Sequence, residues 1–217
     1  NWTSRVPLPQ DDVIFDTNFG TSKTVTVDKV NATCKSMDWS GCSFTTALTF
    51  TQGATFWVLG DYKLKAGMTM GTHAYQALIC ARDNASAKFT TAGVTINNSK
   101  DSQAYNSTYT LQDNLTVTNT ITCRQGTLES NDKDISCTYF TDDSNIGAAT
   151  LNMGTGTWTI TGTSGFIARS SCIAVNCETS TIKLTYNSTS ATTFSGDGNT
   201  FNKVWFDKGA GTGTVTM

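Results

Sequence analysis

Short runs of alternating apolar and polar residues follow one another along this chain, yet almost none is joined to the next by a hairpin turn. Thr24 to Val30 alternates Thr with Val, and Ala47–Phe50, Thr55–Leu59, Thr157–Thr161 and Thr181–Thr185 repeat the pattern. Period-two alternation bounded by Gly, Asn, Asp or Ser is the signature of half-buried strands. Folds built from hairpins favour Asn-Gly or Asp-Gly between such runs, and Asp197-Gly198 is the one instance here. No stretch combines a helical period with capping signals. The expectation is all-β: a right-handed parallel β-helix, or solenoid, of short strands, with a β-sandwich or jelly roll as the alternative.

The stretch from Thr181 to Phe206 shows why a solenoid is preferred. Ile182, Leu184 and Tyr186 share one face of its first run, while Phe201, Val204 and Phe206 break strict alternation and predict a bend near Asn202-Lys203. Such a unit buries too little surface alone, so it needs a stack of similar coils. Thr-Gly-Thr series around Met153 to Thr163 and at Gly209 to Gly213 suit corners repeated once per coil. Asn97, Asn98, Asn119, Asn152 and Asn202 are placed to form amide ladders there. A coil of roughly 20–25 residues gives about nine coils and a rod about 40–45 Å long. Residues 1–22 form an N-terminal cap, in which Pro7 and Pro9 suit an edge and Trp2 covers the open end. Residues 23–217 form the solenoid.

Composition excludes several classes of function. A net charge of −2 and a pI near 5.3 offer no electrostatic footprint for nucleic acid. Charged residues are only 15% of the chain, so polarity rests on hydroxyls and amides, and β-branched Thr favours strands. No apolar run approaches the ~20 residues of a membrane span.

The seven cysteines lack CxxC spacing, and with a single histidine, His73, a zinc site is not expected. Two readings compete: local disulfides in an oxidising compartment, or small buried hydrophobes. Disulfides are favoured for Cys172–Cys177 and Cys123–Cys137. Both readings stay open for Cys34–Cys42, because Cys34 sits inside a β-type run. Cys80 is left over.

Catalysis on a solenoid needs converging groups. Carboxylates occur at Asp11, Asp12, Asp38, Asp113, Asp132, Asp134, Asp142, Asp143, Glu178, Asp197 and Asp207. Glycoside hydrolysis would require two of them about 5–9.5 Å apart. Asp132, Asp134, Asp142 and Asp143 are the densest group; solvated turns are the expectation, with calcium as the alternative. His73 has no nucleophile motif beside it. Trp39, Trp57, Trp158 and Trp205 sit in alternating runs and are expected in the wall or core, whereas Tyr105 and Tyr109 are the aromatics expected at the surface. No catalytic, cofactor-binding or metal residue is assigned.

Asn-x-Ser/Thr occurs seven times, at Asn1, Asn31, Asn84, Asn97, Asn106, Asn114 and Asn187, a mild excess over composition. A surface glycan is the functional reading, and composition alone is the other.

The segments VPLPQDDVIFD, TVTVDKVNATCKSMDWSG, GTGTWTITGTSG and STIKLTYNSTSATTFSGDGNTFNKVWFDKGAGTGTVTM resemble one large set of Thr/Gly/Asn-rich parallel β-solenoid proteins of environmental phages and microbes. The most specific parts are Lys35 to Trp39 and the last forty or so residues. The resemblance implies a right-handed β-helix at a virion or cell surface, and no established activity. In that set the last block is followed by further coils, so a fragment, a processed form and the ordered part of something longer are the readings kept open; the extra cysteines and the insert at Cys172–Cys177 depart from the pattern. The expected function is non-enzymatic: a structural or adhesive solenoid of a virion fibre or extracellular filament, self-associating as a trimer or end to end. The alternatives are a carbohydrate-binding module and a polysaccharide-degrading enzyme.

Overall fold

A computed structural model describes residues 7–19, 23–43, 46–51, 56–71, 86–97, 100–143, 147–187 and 189–217, with the side chains of 100–106 left aside. Among these residues there is no helix. The first strands are β1 (Asp12–Ile14), β2 (Thr24–Val27), β3 (Ala32–Cys34), β4 (Ser36–Asp38), β5 (Ala47–Phe50), β6 (Phe56–Val58), β7 (Tyr62–Lys63), β8 (Thr69–Met70) and β9 (Ser86–Thr90). Longer strands follow: β10 (Lys100–Leu111), β11 (Leu115–Thr116), β12 (Thr120–Glu129), β13 (Ile135–Asp142), β14 (Ala149–Asn152) and β15 (Thr157–Ile167). The chain closes with β16 (Ile173–Asn176), β17 (Thr181–Leu184), β18 (Thr192–Ser195), β19 (Lys203–Phe206) and β20 (Val215–Thr216).

Every strand pairing among the described residues is parallel. Each strand pairs with one about a coil further along, which is the register of a β-solenoid and excludes the sandwich. The first face runs β1, β4, β7, β9, the end of β10, the end of β12, β14 and β16, eight rungs joined by seven pairings and therefore seven turns. Register offsets vary from 19 residues (Tyr109 to Leu128) through 24 (Asp12 to Ser36) to 28 (Phe166 to Phe194). Asp197 and Gly198, with φ of 39° and 86°, make a turn between coils rather than a hairpin.

The interior is filled by columns of side chains, one per rung. Leu115, Ile135, Trp158, Ile182 and Val204 form one such column, and Ile121, Phe140, Phe166 and Phe194 another. The Phe140 and Phe166 rings stack at 4.7 Å with 16° between planes, and Phe15 lies on Trp39 at 3.7 Å. Such pairs contribute about 0.5–1.5 kcal/mol each beyond the area they bury. β12, β13 and β15 serve two faces each by turning a corner within the strand. In β15 the corner falls at Gly165, with φ of +72°.

Two readings of the aromatics change. Trp39 and Trp158 are fully buried and Trp57 packs partly buried against the core, as expected, but Trp205 is 48% exposed. Its neighbours Val204 and Phe206 take the inward positions of β19, so Trp205 must face out. Tyr109, expected at the surface, is buried on the rung between Ala87 and Leu128. The bend near Asn202 is the start of β19 itself, while Phe201 packs edge-on against Phe166 and Phe194. β1 lies inside the segment read as a cap and forms a rung with β4. Trp2, Asn1, His73, Cys80 and Asn84 lie outside the described residues.

Candidate functional site

Alternation in TWTIT, TIKLT and KVWFD places three rungs of β15, β17 and β19 in register, and it sends every second residue outward. The outward rows are Thr157, Thr181 and Lys203, then Thr159, Lys183 and Trp205. Thr185 and Asp207 continue the pattern, with Asp207 N–H donating to Leu184 O at 2.8 Å. The result is a flat grid with positions about 4.8 Å apart between rungs and about 6.6 Å apart along a strand.

The grid gathers an indole, two ammoniums and a carboxylate. Lys183 Nζ lies 4.5 Å from the Trp205 ring centroid and Lys203 Nζ lies 5.4 Å from it. Lys183 Nζ also pairs with Asp207 Oδ2 at 3.0 Å. At exposed positions a cation–π contact contributes about 0.5–1 kcal/mol and an ion pair about 0–1 kcal/mol. These contacts set the two ammoniums over the indole, which stays 48% exposed. The grid can therefore offer a stacking surface, positive charge and hydroxyls together.

The other carboxylates are used mainly to tie coil to coil. Asp113 accepts from Thr91 N–H at 2.7 Å and Ala92 N–H at 2.6 Å. Asp132 accepts from Thr155 N–H at 2.9 Å and Asp134 from Thr157 N–H at 2.8 Å. Ser36 Oγ donates to Asp12 at 2.6 Å and Lys35 Nζ at 3.1 Å, and these bonds hold the Asp12 carboxyl below its ordinary range. Burial pushes Asp38 up, but hydrogen bonds from Ser40 and the charge of Lys63 outweigh it and leave the carboxyl low. An outer ladder also forms, in which Asn176 Nδ2 donates to Asn152 Oδ1 at 2.7 Å and Asn152 Nδ2 to Glu129 Oε2 at 2.9 Å.

Asp132 and Asp134 sit between β12 and β13, whereas Asp142 ends β13 and Asp143 follows it. Asp132 and Asp134 are turn residues, as expected. Asp142 is not a solvated turn residue: its side chain is fully buried and bonded by Arg169 Nε at 2.8 Å, with Arg169 Nη2 and N–H also donating. Asp143 pairs with Arg124 at 3.4 Å. Among the described residues no group of three or more His, Cys, Asp or Glu could hold a metal ion.

The expected disulfides do not form in this structure; Cys34, Cys42, Cys123, Cys137, Cys172 and Cys177 are free thiols. Cys172 and Cys177 flank the extended strand β16, which separates them by about 16 Å at ~3.3 Å per residue, far beyond the ~7 Å Cα limit for a bridge. Cys123 sits on the rung of Ser102 and Asp142, and Cys137 on that of Ile160, so the two are not ladder partners. Cys34 lies on the rung of Val58, and Cys42 in the turn after Trp39. Burial pushes the thiols of Cys34, Cys123 and Cys137 up to about 12.

Of the sequon asparagines, Asn31 and Asn187 are exposed. Asn31 lies in a turn at φ 58°. Asn114 is exposed while its Oδ1 accepts from Asp134 N–H at 3.0 Å, and Asn97 Nδ2 donates to Met70 O. Asn106 and Tyr105 lie in β10, outside the described side chains. No local motif predicted the Asp142–Arg169 pair, because its partners are 27 residues apart in sequence and meet only through the coil period.

No family model matches the chain, and neither a curated protein nor a solved structure matches it.

Proposed function

We propose that this chain is a non-enzymatic structural or adhesive β-solenoid, a segment of a virion fibre or extracellular filament that acts through shape and repetition. The observation that carries this reading is the edge of β19. It pairs with β17 on one side, and its other backbone edge has no strand among the described residues. Phe206 is 36% exposed there. An unpaired parallel edge with apolar side chains is a template for another strand, and the occupant proposed is a second copy of this chain, stacked end to end. A virion or cell-surface setting is supported by the resemblance of the segments quoted above, and a surface glycan by the sequons. No helix among the described residues is long and apolar enough to cross a membrane.

Sedimentation velocity tests the association. Asp207 N–H donates toward β17, so by strand alternation Phe206 N–H points to the open edge. Phe206→Pro removes that donor and leaves the ladder to β17 intact. The native chain is expected to form species larger than one copy, and the variant to sediment as a monomer. A native chain that stays monomeric at high concentration overturns the reading. A second reading, a carbohydrate-binding module on the same scaffold, is favoured by the exposed Trp205 beside two lysines.

A further inference from the structure

We infer that the grid around Trp205 is a subsite for an acidic polysaccharide, one whose sugar rings carry carboxylates. This rests on the carbohydrate-binding reading and is independent of self-association. Trp205 is the one exposed Trp among those described, at 48%. Lys183 stands directly opposite it on the neighbouring rung and Lys203 two residues before it on the same strand. A sugar ring stacked on an indole uses its C–H faces, which is why amphipathic aromatics serve surfaces that are half apolar and half wet.

Charge decides the class of sugar. The grid holds two cations, Lys183 and Lys203, and one carboxylate, Asp207. Asp207 is matched by Lys183 at 3.0 Å. Lys203 has no ion-pair partner among the described residues and is exposed, so the grid keeps a net positive charge in a chain whose net charge is −2. Both ammoniums lie over the ring within 5.4 Å of its centroid, so a sugar that stacks on Trp205 swings an ammonium off the ring face and brings its own carboxylate within reach of it. Such charge-assisted hydrogen bonds are shorter and stronger than neutral ones. The outward-facing Thr159 and Thr181 add hydroxyls on the rungs behind. Outward positions that repeat from rung to rung suit an extended chain laid across rungs rather than an enclosed monosaccharide.

Isothermal titration with hyaluronan oligosaccharides, and with neutral chitin oligosaccharides as the uncharged comparator, tests this at low salt. The full chain is used at a concentration where sedimentation shows a single species. The expected result is binding of hyaluronan at least tenfold tighter than of the neutral oligosaccharide. Trp205→Ala should abolish binding to both, and Lys203→Gln should remove most of the preference while sparing the neutral affinity. Near-ultraviolet circular dichroism, read on Trp39 and Trp158 in the core, confirms that each variant is folded. Equal affinity for both oligosaccharides would overturn the acidic ligand while leaving the carbohydrate reading standing. Absence of binding to either, or full binding by folded Trp205→Ala, would overturn both.

Discussion

Arg169 reaches across one turn of the coil and donates through Nε to Asp142 at 2.8 Å, where the carboxylate is sealed from solvent. The pair binds two corners that have no sequence contact. Removing one partner of a buried ion pair costs about 3–5 kcal/mol, because the other is left uncompensated. Arg169 is partly exposed, so the lower end applies. Arg169→Ala is expected to lose about 3 kcal/mol in urea unfolding monitored by circular dichroism, against about 0–1 kcal/mol for Lys35→Ala, whose pair with Asp12 is exposed on both sides.

Two glycines with similar backbone angles should respond very differently to substitution. Gly67 has φ of +81° and open space where a Cβ would lie, so Gly67→Ala costs the left-handed penalty of about 1–2 kcal/mol. At Gly165, φ +72°, a Cβ would fall 1.7 Å from Thr193 O on the next coil. The backbone must move, and Gly165→Ala is expected to cost more than about 3 kcal/mol. Equal thermal midpoints for the two variants would contradict the inter-coil packing at this corner.

Asn199 is a test of amide chemistry at a corner. Its Nδ2 donates to Ala168 O at 2.8 Å and Ile173 O at 3.2 Å, and its Oδ1 accepts from Val175 N–H. A carboxylate there would face two carbonyls with no donor of its own. Asn199→Asp is therefore expected to be less stable than Asn199→Ala near neutral pH. It should recover relative to Asn199→Ala as the pH falls and the carboxyl protonates, regaining one donor. Parallel urea titrations at two pH values check the sign.

The thiols give a chemical test. With burial pushing Cys34, Cys123 and Cys137 up to about 12, these groups stay protonated at pH 8, and only the thiolate alkylates readily. Brief iodoacetamide treatment of native protein should leave them unmodified, and treatment after denaturation without reductant should label all six described cysteines by mass. Protection that persists in denaturant until reductant is added would establish disulfides instead.

Strand positions were legible wherever Thr alternated with Val, Ile or Leu, as at β2, β15 and β17. β16 was hidden because its flanking cysteines invited a loop staple, and β18 because Thr192–Ser195 offers one large apolar residue, Phe194. The coil count was blurred by a period ranging from 19 to 28 residues. The grid was legible residue by residue but not as a site. Which parity of β19 faces outward depends on Val204 and Phe206 stacking above Ile182 and Leu184, and that register is a property of the whole stack.

In the proposed assembly, coils continue in one direction through parallel rungs, within one copy and from one copy to the next. Diffraction from aligned assemblies of native protein measures this directly. The predicted result is a reflection near 4.8 Å along the long axis of the particles. A 4.8 Å reflection across the long axis, or compact particles with no axial order at any concentration, would contradict it.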